Sequence, residues 1–279
     1  MELVLGTLSL RPYVFAFVAA FLAAGAIDLG WRRTLGFAAC VWPVAWLAEF
    51  SSTRVGVPFG LYHYTGATRG QELYLADAPL MDSLSFTFLA YASFCLARAV
   101  LGSYAPSRGG LALASGFLMM LLDVVIDPVA LRGDRWFLGP VFYYASDGVY
   151  FGVPLSNFVG WVIVGTLGVA CWLACWGGAR EPGSGRRSGV REAGTGRGWA
   201  GLGARGSVRV SALGARVWPG VALYYGVLGF NLAVTAWIGE PVLLAAGATL
   251  HAALALLLRL VSRRPARSTG LEGERVQRA

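Results

Sequence analysis

The chain has 279 residues, of which 56% are hydrophobic and only 14% are charged. A soluble domain carries about a quarter charged residues, so this composition excludes an ordinary soluble enzyme and indicates an integral membrane protein. The net charge of +8 comes from arginine alone, since the sequence has no lysine. Because the arginines concentrate beside apolar segments, we attribute them to membrane topology and expect no nucleic-acid partner.

Seven apolar segments approach the length that a membrane-spanning helix needs, which is roughly 20 mostly apolar residues. They lie at 12–30, 34–50, 81–101, 110–127, 153–176, 218–238 and 242–261. No basic segment precedes the first one, so we interpret it as a span and not as a cleaved signal peptide. The sequence therefore predicts an all-α fold, a polytopic integral membrane helix bundle of about seven transmembrane helices.

The arginine distribution predicts the orientation of these spans. Arginines separate the first two spans and flank the loop after the third. The segment 178–216 holds eight arginines against two glutamates, and the tail from Arg259 onward holds six against two. Cytoplasmic loops carry such an excess, and seven spans put all four regions on one side. We expect a multi-pass protein of the cell inner (cytoplasmic) membrane, with the N-terminus outside and the C-terminus in the cytoplasm.

The same pattern divides the chain into four parts. Residues 1–177 are predicted to form a membrane domain whose outer loops carry the active site, and 217–262 the last two transmembrane helices. Between them, 178–216 is a Gly- and Arg-rich cytoplasmic linker, and 263–279 is a basic C-terminal tail. A composition rich in Gly, Ser and Arg is typical of a flexible segment near anionic lipid, so membrane lipids are expected partners.

Two outer loops, 51–80 and 128–152, are long and rich in aromatic residues, Gly and Pro. Loops of this length in a compact protein usually carry function or fold over the structure they connect. Similar Gly-Val-Pro turns occur in GVPFGLYHY (56–64) and FGVPLSNF (151–158). An interfacial aromatic belt would explain most of the aromatic residues, and an aromatic-lined slot for a polyene or a carbocation is the alternative.

Acidic residues at membrane depth are the main candidates for chemistry. A charged side chain at a helix centre costs about 2.5–3.5 kcal/mol on insertion scales, so such residues usually mark a function. By the predicted boundaries Glu49 ends the second span, Asp82 opens the third, and Asp123 and Asp127 end the fourth. All four are expected near the outer ends of their helices, on the side of the two long loops.

Asp123 and Asp127 are four residues apart, so both project from one face of a helix. Pro128 is expected to stop that helix. Two carboxyl groups this close in low dielectric cannot both ionise cheaply, so we expect one to keep its proton and to act as a general acid. The alternative is that one acid forms an ion pair with one of three nearby arginines, Arg54, Arg132 or Arg135.

The remaining polar residues narrow the chemistry. Asn157, in the fifth span, could bridge helices or hold a water molecule. The cysteines lie in apolar runs, and the CWLAC pair at 171–175 lacks the CxxC spacing of a metal or redox site, so we expect packing roles and no metal. With only two histidines, the clustered ligands of membrane di-iron oxygenases are missing. Redox-neutral chemistry without a cofactor suits this set of residues.

Four stretches together resemble the CruF-type carotenoid hydratases: AEFSSTRVGVPFGLYHYT, APLMDSLSF, GFLMMLLDVVIDPVA and FGVPLSNFVGW. The resemblance covers most of residues 34–165. It implies a membrane enzyme that adds water across the terminal 1',2' double bond of an acyclic carotenoid end group, giving a tertiary hydroxyl. It also implies a lipid-soluble substrate such as γ-carotene, a lycopene-type carotenoid or bisanhydrobacterioruberin. Other enzymes of the carotenoid pathway are candidate partners.

Hydration of an isolated alkene needs a strong proton donor, a surface that tolerates a tertiary cation, and a positioned water. The predicted catalytic residues are Glu49, Asp123, Asp127 and Asn157. Our hypothesis is that Asp127 or Glu49 donates the proton and that Asn157 or Asp123 holds the water. The predicted substrate-binding residues are Arg54, Tyr62, His63, Tyr64, Asp82 and Trp161.

Two other classes compete with this interpretation. A UbiA-like membrane prenyltransferase or lycopene elongase also places paired aspartates on membrane helices. Those aspartates bind magnesium and diphosphate, so two such motifs are expected, normally on the cytoplasmic side. A non-enzymatic carotenoid-binding membrane protein or transporter is the third class, for which replacing Asp127 or Glu49 would leave the pigments of the host unchanged.

Overall fold

The computed structural model describes residues 2–104, 106–176 and 216–262. Within them lie eight helices: α1 (Glu2–Leu10), α2 (Pro12–Asp28), α3 (Trp31–Val55), α4 (Leu80–Leu101), α5 (Arg108–Ala130), α6 (Leu155–Trp176), α7 (Trp218–Trp237) and α8 (Pro241–Ser262). Four short strands lie in the two long loops: β1 (Tyr62–Tyr64), β2 (Tyr74–Leu75), β3 (Ala78–Pro79) and β4 (Phe142–Tyr144). The predicted all-α fold is confirmed. The tail and, apart from Arg216, the linker lie outside the described residues.

Six of these helices are long and apolar enough to cross a membrane, and α1 and α2 together make a seventh candidate that bends by 88°. The predicted count of about seven spans agrees with this. Pro12 is the first residue of α2. An N–H group at this position has no acceptor within the helix, so proline costs no hydrogen bond there. Arg11 therefore lies at the elbow between the two helices.

The second span ends later than the sequence predicted. Helix α3 runs to Val55 instead of residue 50, so Glu49 lies within the helix and does not end it. The polar turn after Glu49 stays helical until Gly56, whose φ of 76° is the left-handed conformation that caps helices. The longer helix keeps the Glu49 side chain inside the bundle.

Pro128 does not stop the fourth span, as the sequence analysis expected. Helix α5 continues through it to Ala130. A proline near a helix end removes one backbone donor, and the hydrogen-bond pattern resumes where the Leu131 N–H donates to the Asp127 carbonyl at 2.9 Å. Asp127 therefore has helical geometry on both sides.

Close packing between helices depends on small residues at their contacts. A Cβ added at Gly116 of α5 would lie 2.4 Å from Thr166 Oγ1 and 2.5 Å from the Val162 carbonyl of α6. Only glycine allows the two backbones to approach this closely. Helix α4 lies at the centre and is the most enclosed of the spans.

The two long loops meet at one end of the bundle, which we call the loop end. Strand β1 pairs with β4 in antiparallel register, so that Tyr62 stands opposite Tyr144. The two Gly-Val-Pro turns also touch, since Ser156 Oγ donates to the Phe59 carbonyl at 3.4 Å. The loops therefore form one cover over the ends of α3, α4, α5 and α6.

Candidate active site

A cavity of about 980 Å³, including its open mouth, lies beneath this cover and between the helices of the loop end. Its polar wall includes Arg11, Glu49, Tyr62, Tyr64, Asp82, Ser85, Asp127, Tyr144, Asn157 and Asn231. Its apolar wall includes Phe17, Phe86, Phe88, Leu89, Trp161, Val227 and Phe230. The cavity is thus polar on one side and aromatic or aliphatic on the other.

Glu49 projects from α3 into the polar wall and is only 3% exposed. Its Oε2 has no hydrogen-bond partner, and no ion pair within the described residues includes it. An ionised carboxylate buried without a cation is costly. The surroundings of Glu49 therefore favour the neutral acid, which is a proton donor.

Asp123 and Asp127 are joined by one amide from α6. Asn157 Nδ2 donates to Asp123 Oδ2 at 2.6 Å and to Asp127 Oδ2 at 2.7 Å, and the Tyr144 hydroxyl donates to the same Asp127 oxygen at 3.2 Å. Asp123 is fully buried, whereas Asp127 is half-buried and lines the cavity. Asn157 and Tyr144 thus fix the Asp127 carboxyl group at the cavity surface.

The arginines that were considered as partners of this aspartate pair bind elsewhere. Arg54 pairs with Asp77 at 3.0 Å, and both Arg132 and Arg135 pair with Glu240. No ion pair in the part of the chain that the structure describes involves Asp123 or Asp127. The ion-pair alternative is therefore wrong for the described residues.

Asp82, at the start of α4, has a cation nearby. Arg11 Nη1 lies 3.9 Å from Asp82 Oδ1, and the same guanidinium forms two hydrogen bonds with Glu72, of 2.8 and 3.0 Å. The Arg11 and Glu72 side chains are almost completely buried. Sequence reasoning did not select Arg11, although an arginine on the expected outer side of the first span departs from the usual charge bias and could have identified it.

Three tyrosines from the paired strands cover the acids. Burial raises the pKa of Tyr62 and Tyr64 well above that of a free phenol, and burial beside Asp127 and Asp123 raises the pKa of Tyr144 in the same direction. They therefore remain neutral donors at physiological pH. Sequence reasoning named Tyr62 and Tyr64 as site residues but missed Tyr144, because only the strand pairing brings it to Asp127.

Aromatic rings form a continuous surface beside these acids. Trp161 stacks on Phe86 with 4.5 Å between ring centroids, and Tyr62 lies 5.9 Å from the Tyr144 ring in an edge-on arrangement. Ring faces attract a nearby cation. The cavity therefore combines proton donors with a surface that can stabilise positive charge on carbon.

Two of the predicted substrate-binding residues do not line the cavity. Arg54 lies on the surface, where its guanidinium covers the Phe50 ring at 3.5 Å. The His63 ring packs against Tyr143 on the outward side of the strand pair. The other predicted site residues either line the cavity or, in the case of Asp123, bind Asn157 behind it. The substrate-binding roles themselves stay predictions.

The fold and the cavity define a class: a multi-pass membrane protein with an acid- and aromatic-lined cavity between its helices. The sequence model of the carotenoid biosynthesis protein family matches residues 8–191, and the chain belongs to that family. This confirms, at the level of the family, the resemblance carried by the four sequence stretches.

One relative is a protein of Haloarcula japonica named bisanhydrobacterioruberin hydratase, which is 32% identical over 122 residues. The match covers 43% of this chain and 38% of the relative, so the chain spans well under half of the length of that protein. No solved structure matches the chain significantly.

Proposed function

We propose that the protein is a carotenoid hydratase that adds water to the terminal 1',2' double bond of an acyclic carotenoid end group. Membership of the carotenoid biosynthesis family and the name of the Haloarcula relative support the pathway and the reaction type. The observation that carries the proposal is the cavity itself, where Glu49, an acid without a cation, lines the same space as the Asp127–Asn157 pair.

In the proposed mechanism Glu49 donates its proton to C2' of the alkene, and the pair of π electrons forms the new C–H bond. The positive charge then resides on C1', a tertiary carbon, where the faces of Trp161 and Tyr62 stabilise it. A water molecule hydrogen-bonded to Asp127 and Asn157 attacks C1'. Asp127 accepts the proton that the water loses, and its transfer back to Glu49 completes the cycle with water as the only reactant added.

The apolar wall supports an orientation for the substrate. Phe17 and Phe230 meet at the seam between α2 and α7, with 5.7 Å between their ring centroids, and Tyr13 stacks on Phe230 at 5.1 Å. These three rings are only partly buried, so the cavity wall continues to the outer surface of the bundle. In our proposal the end group reaches the acids while the polyene leaves through this seam into lipid.

A prenyltransferase or elongase is less well supported by the same cavity. Its diphosphate substrate would need cations, but Arg11, the arginine that lines the cavity, is already bound to Glu72. A neutral hydrocarbon end group is the better match.

Several finer features belong to this proposal. The reaction needs no cofactor, and the substrate is γ-carotene, a lycopene-type carotenoid or bisanhydrobacterioruberin. The protein resides in the cytoplasmic membrane with the loop end facing outward, which follows from the arginine distribution. Neighbouring enzymes of the pathway are the candidate protein partners.

The test is expression in three bacterial hosts that accumulate lycopene, γ-carotene or bisanhydrobacterioruberin, with pigments resolved by chromatography and mass spectrometry. We expect a product heavier by one water in at least one host. Unmodified pigment in all three, despite verified membrane expression, would contradict the proposal. A product heavier by a prenyl unit would establish the elongase alternative instead.

A further inference from the structure

Three of the four cysteines meet on the outside of the bundle, at the end opposite the loop end. The Sγ atoms of Cys40 in α3 and of Cys171 and Cys175 in α6 all lie within 4.8 Å of one another. Cys171 and Cys175 are exposed and Cys40 is half-buried. We call this group the thiol cluster. It is the only such convergence of metal-ligating side chains among the residues that the structure describes.

Core packing does not explain the thiol cluster, as a comparison with the fourth cysteine shows. Cys95 is completely buried, and its Sγ contacts the carboxyl group of Asp28 at 3.8 Å. A Cβ added at Gly220 would lie 2.4 Å from the same sulfur, so Cys95 fills a tight helix contact. The sequence analysis expected this packing role for all four cysteines, but the exposed sulfurs of α6 have no such role.

The thiol cluster lies near the ends of α3 and α6, and contacts between these two helices fix their alignment. Cys175 immediately precedes Trp176, the last residue of α6, and that indole packs against Gly36 in the second turn of α3. One turn further in, Trp172 Nε1 donates to the Arg33 carbonyl at 3.1 Å. These contacts hold the two helices together so that sulfurs from both face one point within about two to three turns of the helix ends.

We infer that Cys40, Cys171 and Cys175 form a binding site for a soft, thiophilic metal ion of the Cu(I) or Zn(II) type. Metal–sulfur bonds of about 2.3 Å place three sulfurs about 4 Å apart around a shared ion, so small side-chain rotations suffice from the observed spacing. Thiolate ligands select soft and borderline ions over magnesium or calcium. Three sulfurs complete a trigonal Cu(I) site, or a tetrahedral Zn(II) site with one water.

Binding would displace the thiol protons and join α3 to α6 at the end away from the cavity. These are the helices that carry Glu49 and Asn157 at the loop end. An ion bound only by the folded arrangement stabilises the fold by mass action. The expected consequence is a higher melting temperature, with no part in the chemistry of the cavity.

The test uses the full-length protein, reduced and purified in detergent. Cadmium is the spectroscopic probe, because its thiolate complexes absorb in the ultraviolet, and Cu(I) and Zn(II) are then measured by competition with chelators. We expect one ion per chain, and at least a tenfold loss of affinity in each of C40S, C171S and C175S. C95S is the matched control and keeps the wild-type affinity.

A second measurement protects the test against misfolded variants. In the wild-type protein the bound ion should raise the melting temperature, and this rise should be absent from the triple serine variant at an unchanged helix content. Absence of the thiolate band in the wild-type protein would overturn the inference, as would an equal band in the triple variant.

Discussion

Asp28, at one end of the bundle, and the acids Glu49 and Asp127, at the other, are buried in opposite ways. At the end away from the loops, Asp28 accepts hydrogen bonds from Arg98 at 2.6 and 3.1 Å and another from the Tyr91 hydroxyl at 3.3 Å. At the loop end, Glu49 has no ion-pair partner among the described residues, and Asp127 is held by an amide and a phenol. Asp28 is neutralised by a cation, whereas Glu49 and Asp127 lie next to the cavity without one.

This difference separates a structural acid from candidate chemical ones. A buried carboxylate with a matched guanidinium keeps one charge state, so it joins α2 to α4 and has no proton to give. A buried carboxyl group without a cation can hold and release a proton, which is the property that a general acid needs. The predictions below test whether Asp28 and the acids of the cavity differ in this way.

The largest effect is expected for Glu49→Gln. The amide keeps the size of the side chain but has no acidic proton, so the proposed protonation of the alkene is lost. General acids contribute about 10²–10⁴-fold, and we expect hydrated pigment to fall by about that factor. The measurement is the initial rate of product formation in isolated membranes, with protein amount determined by immunoblot.

The matched control for Glu49→Gln is Glu2→Gln, which removes an exposed carboxyl group from α1. It should retain full activity. A Glu49→Gln protein that hydrates carotenoid at the wild-type rate would remove Glu49 from the mechanism, and Asp127→Asn would then be the next variant to measure.

At the other end, Arg98→Met should destabilise the fold and spare the chemistry. It leaves the Asp28 carboxylate buried and unpaired, which costs about 3–5 kcal/mol. The measurement is thermal unfolding in detergent, together with the hydration rate per folded molecule. Asp28→Leu combined with Arg98→Met removes both charges and should recover most of the lost stability. An activity loss in that folded double variant would show that the pair does more than hold helices together.

The sequence predicted the bundle well because the apolar runs are long. Six spans and the bent first pair agree with seven predicted segments, and the fold class needed only that pattern. It also selected the acids that line the cavity, since Glu49, Asp82 and Asp127 are charges at membrane depth. Each of these acids can be recognised from its own segment, because a charged residue in an apolar run is unusual.

The sequence did not predict features that depend on contacts between distant segments. Arg11 binds Glu72, which lies 61 residues further along the chain, and Tyr144 reaches Asp127 only through the pairing of β1 with β4. The sequence also predicted that the fourth span ends before Pro128, whereas α5 continues to Ala130. The loss of one backbone hydrogen bond at the proline does not outweigh the packing of the helix in the bundle. Spacing within a segment carries no information on these contacts.

A smaller effect is expected for Asn157→Leu. The change removes the amide that donates to both the Asp123 and the Asp127 carboxyl groups. A hydrogen bond to a charged group contributes about 1.5–3 kcal/mol. We expect the hydration rate to fall about 10–100-fold with little change in membrane yield. Thr235→Val is the control, because the buried Thr235 hydroxyl donates to the Asn231 carbonyl of its own helix and does not line the cavity. Equal losses in both variants would indicate a general packing effect.

The smallest effect tests the cover of the cavity through two adjacent tyrosines. Tyr144→Phe removes one hydrogen bond to Asp127, at 3.2 Å, and keeps the ring. A single hydrogen bond contributes about 1 kcal/mol, so we expect about a 5-fold lower rate. Tyr143→Phe is the matched control on the same strand, because that ring is 52% exposed and packs on His63 outside the cavity. If the two variants behave alike, Tyr144 does not act through Asp127, and the strand pair serves the site only as a cover that excludes water.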